Sequence, residues 1–83
     1  MPRMLTYRLS GAVHDEDLTA KYAEKDERIN ATVQCLNKEE AVVLLKAVIR
    51  EKIQMSRPFS VFTGSVVCQG LKVKVFNKYK GLR

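Results

Sequence analysis

FSVFTGSVVCQGLKVKVFNKYKGLR, residues 59–83, holds two apolar-rich runs, Phe59 to Cys68 and Leu71 to Tyr79, separated only by Gln69 and Gly70. Two alternating runs joined by two residues, one of them glycine, form the signature of a β-hairpin. If Cys68 faces Leu71 across the turn, an unbroken register sets Val66 opposite Val73, Gly64 opposite Val75 and Phe62 opposite Asn77. One face then carries Phe62, Gly64, Val66, Cys68, Leu71, Val73 and Val75, an apolar surface for a helix, with Gly64 leaving room for close approach. The other face pairs Val67 with Lys72, Ser65 with Lys74, Thr63 with Phe76, Val61 with Lys78 and Phe59 with Lys80.

The helix for that surface lies just upstream. Asn37 precedes it and Glu40 follows three residues later, an arrangement close to a capping box. From Lys38 to Gln54, Ala41, Leu44, Leu45, Val48, Ile49 and Ile53 share one stripe, with Glu39, Lys46, Arg50 and Gln54 opposite. Val43 and Ala47 lie nearer the polar side. Ser56, Arg57 and Pro58 end the segment, because the residue before a proline is pushed out of the helical region.

Two more strands precede the helix. Leu5, Tyr7, Leu9, Gly11 and Val13 alternate with Thr6, Arg8, Ser10 and Ala12, and Ile29, Ala31, Val33 and Cys35 alternate with Arg28, Asn30, Thr32 and Gln34. Between them the charged stretch HDEDLTAKYAEKDE fits a short extra helix over 16–25 or a loop. The predicted fold is therefore α+β: elements in the order β-β-α-β-β, a four-stranded antiparallel or mixed sheet, and one core helix on one face, within a single domain spanning 1–83.

Eighty-three residues bury only about 60–65% of the surface that the unfolded chain exposes. A second copy or a partner is one way to add buried area, and a homodimer is one expectation. The chain lacks an apolar run of the 18 or so residues needed to cross a bilayer, and its first ten residues alternate instead of forming a signal-peptide core. A cytoplasmic location is expected. Cys35 and Cys68 belong to no CxxC pair and read as buried thiols.

Charge is unevenly placed. The net charge is +6; residues 14–51 hold six basic and nine acidic side chains, whereas residues 52–83 hold seven basic and none acidic. Such a block steers acidic partners. The nucleotide, hydrolase and zinc-protease motifs are missing, and His14, the single histidine, has no identifiable nucleophile beside it. The run His14, Asp15, Glu16 and Asp17 lacks the ligand spacing of a calcium loop and reads as solvated charge. No enzyme activity, cofactor, metal site or small-molecule substrate is expected.

What remains is the second hairpin face, with lysines around exposed phenylalanine. The string KVKVFNKYKG resembles the lysine-rich first strand of the small archaeal chromatin proteins over about ten residues, at the opposite end of the chain, and implies no residue roles. Arg8, Phe59, Val61, Lys72, Lys74, Phe76, Lys78 and Lys80 are the candidate contact residues. They suit a non-catalytic module that binds an acidic protein as an adaptor or inhibitor, with an apolar centre and a lysine rim. They also suit non-specific DNA or RNA binding, with lysines on phosphates and phenylalanine on bases. A third reading is edge protection, lysines discouraging strand pairing with other chains.

Overall fold

Alternation in the N-terminal half and the Gln69-Gly70 turn in the C-terminal half produce four strands around one helix. The computed structural model describes residues 3–15, 27–56 and 60–81. They form β1 (Leu5–Asp15), β2 (Glu27–Cys35), α1 (Lys38–Gln54), β3 (Ser60–Cys68) and β4 (Leu71–Tyr79). The strands make one antiparallel sheet in the order β2-β1-β3-β4, so the architecture is α+β with β1 and β3 central. Residues 16–25, where the sequence fits helix or loop, and Phe59 lie outside the described residues.

The start of α1 follows its sequence signal. Asn37 is extended, and its side-chain Oδ1 accepts a hydrogen bond of 2.8 Å from the Glu40 backbone N–H. Glu39 and Glu40 occupy the first turn and Lys52 the last, the charge order that the helix dipole favours. At the far end the Ser56 hydroxyl donates to the Lys52 carbonyl at 2.9 Å. Ala41, Leu45, Ile49 and Ile53 are buried at i, i+4 spacing, a narrower stripe than the sequence predicts: Leu44 is 45% exposed.

Under α1 the sheet presents Tyr7, Leu9, Val13, Ile29, Phe62, Val66 and Phe76. Gly11 and Gly64 face each other across β1 and β3. A Cβ on either would come within 2.6 Å of Phe62 Cζ and would also strike the opposite backbone. The room left at Gly64 is therefore filled by the ring of Phe62, where the sequence suggests the helix itself.

The hairpin departs from the predicted register. Its turn is as expected, with Gln69 at φ 54° and Gly70 at φ 81°, and Cys68 faces Leu71 and Val67 faces Lys72. Beyond that, Val66 faces Lys74 instead of Val73, and the register slips by one residue. A second irregularity leaves Phe62 opposite Tyr79, where Lys78 takes a left-handed φ of 61°. These are β-bulges, and a one-residue slip moves every later side chain to the other face. Phe76 thus turns toward α1, 4% exposed and edge-on to Phe62 at 5.7 Å between ring centroids, whereas Val75 turns outward and is 51% exposed.

The two leucines of the helix should respond differently to truncation. Leu45→Ala should lose about 2–5 kcal/mol in chemical denaturation, as buried leucines do, while Leu44→Ala should cost only a fraction of that.

Candidate anion-binding sheet face

Side chains that alternate away from α1 form one surface across all four strands. Register sets its rows. Thr32, Arg8, Val67 and Lys72 make one; Asn30, Ser10, Ser65 and Val75 make the next; Arg28, Ala12 and Thr63 follow. Arg8 is exposed on a central strand and occupies the middle of this polar field. A shallow depression of about 450 Å³ opens among Arg8, Ser10, Asn30, Thr32 and Val67. A neighbouring one of about 720 Å³ continues past Arg3 and Thr6. At the other end His14 opposes Val61, and its Nε2 forms a 3.0 Å hydrogen bond with the Thr63 hydroxyl.

Among the described residues, no Asp or Glu projects from this face. Asp15 and Glu27 alternate with the α1 side, and Glu39, Glu40 and Glu51 belong to α1. The described surface consequently combines guanidinium, ammonium, hydroxyl and amide donors without a carboxylate. That donor set matches a phosphate or carboxylate oxygen.

The predicted contact residues are redistributed by the two bulges. Arg8 and Lys72 lie in one row of the outer face. Lys74 shares its side of β4 with Phe76, and its ammonium stands 5.7 Å from that ring's centroid. Lys78 sits at the second bulge and Lys80 follows the strand, so the four lysines form no single row. Phe76 is in the core and Val61 is 1% exposed, and neither can anchor a partner. Phe59 lies outside the described residues.

Arg28, Asn30, Thr32 and Ser10 join the face without having been singled out in the sequence. Their alternation marks them as polar positions, but only the placement of β1 between β2 and β3 gathers them around Arg8. That placement leaves no trace in the alternation itself.

Among the described residues, no three His, Cys, Asp or Glu side chains converge to hold a metal ion, and no helix is long and apolar enough to cross a membrane. Of the His14 to Asp17 run, Glu16 and Asp17 lie outside the described residues. Burial pushes the Cys35 thiol above its ordinary value, helped by Glu40, and pushes the Tyr7 phenol up with help from Cys68 and Cys35. A thiol kept neutral is a poor nucleophile. Cys35 and Cys68 are the free, buried thiols their spacing predicts. Comparisons with protein-family models, with curated protein sequences and with solved structures found no match for this chain.

Two outcomes follow from these placements. Phe76→Ala should destabilise the fold by about 3–5 kcal/mol in denaturant titration, as removal of a core aromatic does. For Cys35, the folded thiol stays protonated after the unfolded one ionises, so its contribution to stability is complete below the ordinary thiol range and declines as pH rises through and beyond it. Melting curves collected from neutral to alkaline pH should fall accordingly, and Cys35 should react with a thiol reagent only on unfolding.

Proposed function

We propose that the protein is a non-catalytic module that holds the phosphate backbone of nucleic acid on the outer face of its sheet, sensing charge without reading base sequence. The observation that carries this reading is the face centred on Arg8, on which no described residue places a carboxylate. Arginine, lysine, serine, threonine and asparagine are the side chains that contact phosphate oxygens and fix a protein on a nucleic-acid backbone. The described part of the face bears no phenylalanine, tyrosine or tryptophan ring, and its one imidazole, His14, is hydrogen-bonded to Thr63, so binding rests on the backbone and counterion release instead of base stacking.

An adaptor or inhibitor for an acidic protein would exploit the same charge. Protein interfaces, however, concentrate their energy in buried aromatic or apolar anchors. With Phe76 in the core and Val61 covered although it alternates outward, the described outer face offers Val67 and Val75 for that task, and the polyanion reading has the stronger support. A reducing compartment such as the cytoplasm suits the two free thiols.

The test is a fluorescence-anisotropy titration with single-stranded RNA and duplex DNA over a range of salt. Each phosphate contact contributes roughly 0.7–0.9 to the log–log salt slope, so replacing Arg8, Arg28 and Lys72 together with glutamine should lower the slope by about two to three. Lys74→Gln, on the α1 side, should change it little. An unchanged slope in the triple variant, or no binding by the parent at physiological salt, defeats the proposal. A binding partner captured from extract that survives nuclease treatment would favour the acidic-protein alternative.

A further inference from the structure

The sheet has two edges of opposite character. On β4 the two bulges, the left-handed Lys78 and the lysines disturb the edge in the ways that discourage pairing with another strand. Among the described residues β2 carries less of this, its charged side chains being Glu27 and Arg28 at its first two positions. Glu27 to Cys35 stays in unbroken register with β1 and contains no bulge, proline or lysine.

An apolar strip accompanies this bare edge. The Lys46 ammonium stands 5.8 Å from the Tyr79 ring centroid, and a side chain at Gly81 would press on Ile53, so that flank of α1 faces β4. Lys52 reaches Glu27 of β2 at 3.8 Å, which fixes the opposite flank. Leu44 and Val48 precede Lys52 at i, i+4 spacing and therefore share its flank. Leu44 is 45% exposed and Leu36, just after β2, 50% exposed, while Val48 and the β2 residues Ala31 and Val33 are half-buried. Apolar groups thus flank a strand edge that no described residue pairs.

We infer that β2 pairs antiparallel with β2 of a second copy across a two-fold axis, joining two sheets into one of eight strands with the Leu44 and Val48 flanks of the two helices brought together. Self-pairing fits this edge for two reasons. With the axis at Ala31, Ile29 faces the partner's Val33, Asn30 the partner's Thr32, Arg28 the partner's Gln34 and Glu27 the partner's Cys35. On the α1 side Ile29 meets the partner's Val33 and Ala31 its own copy, with Glu27 beside the partner's Cys35 only at the two ends of the seam, and no like charges are opposed. Moreover, residues 27–56 carry five basic and four acidic side chains, whereas residues 60–81 carry four lysines and no acid. The near-neutral half can approach its own copy; the hairpin half would repel it. This inference rests on the edge and the helix flank and is independent of the anion-binding proposal.

Sedimentation equilibrium on the full chain at tens of micromolar decides it. The expected result is a species of twice the 9.5 kDa chain mass, with a melting temperature that rises with concentration. Replacing Asn30 and Thr32 together with lysine sets like charges opposite each other across the seam while leaving the core intact. This variant should raise the dissociation constant at least tenfold. Leu44→Lys, on the exposed helix flank, should do the same, and circular dichroism checks that each variant is folded. A parent that sediments only at the chain mass overturns the inference. So does a dimer that both folded variants leave unchanged, because the contact then lies elsewhere.

Discussion

The fold depends on how one aromatic ring is seated. Phe62 lies on the inner face of β3 and covers the place where Gly11 and Gly64 bring β1 and β3 together without side chains. Any Cβ at either position would strike the opposite backbone and crowd the ring, so the glycine pair sets how closely the central strands approach and how deep the ring sits. Interiors are packed densely enough that neighbours must adjust to such a seat. Phe76 does so, meeting Phe62 edge-on, and Tyr79 continues the cluster at 5.3 Å from Phe76.

That aromatic cluster accounts for the bulges. A regular β4 would turn Phe76 outward among lysines and leave Val75 inside. The slip at Val73 exchanges them, trading a buried valine for a buried phenylalanine and an exposed aromatic for an exposed valine. Burying the larger ring removes more apolar area from water. The same slip disperses the lysines, so the positive character of the outer face comes from Arg8, Arg28 and Lys72 across three strands. Packing on one side of the sheet thereby decides the chemistry of the other.

Much of this was legible in the sequence because it is local. Alternation located the strands, Asn37 and Glu40 marked the start of the helix, and Gln69-Gly70 marked the turn. The helix stripe was overestimated at Leu44, since spacing alone does not tell which edge of an apolar stripe lies beyond the sheet. The hairpin register was lost where a non-local contact, Phe62 with Phe76, overrode the phase set by the turn. Strand order was hidden for a related reason: Arg8 and Ser10 alternate identically whether β1 is an edge strand or the centre of the sheet. Consequently the candidate face was read in the sequence as a hairpin surface joined only by Arg8, whereas the side chains that share the outer side of the sheet with Arg8 come from all four strands.

The central position of β1 bears on the order in which the molecule can assemble. Its pairing with β3 joins Tyr7 to Cys68 and Val13 to Phe62, contacts that close most of the chain into a loop. Helix α1 and the β3–β4 hairpin need only near neighbours, and such elements form quickly, whereas distant strand pairings are slow because the loop entropy is lost before the contact rewards it. During synthesis β1 emerges first, yet its β3 partner emerges after the helix. Until then the apolar side of β1 and β2 has only α1 to cover it, and the seat beneath Phe62 is empty. Completion of the sheet is therefore a late event set by residues 60–79, and a ribosome-bound fragment ending before residue 60 would lack both the ring and Gly64, one of the two glycines that it rests on.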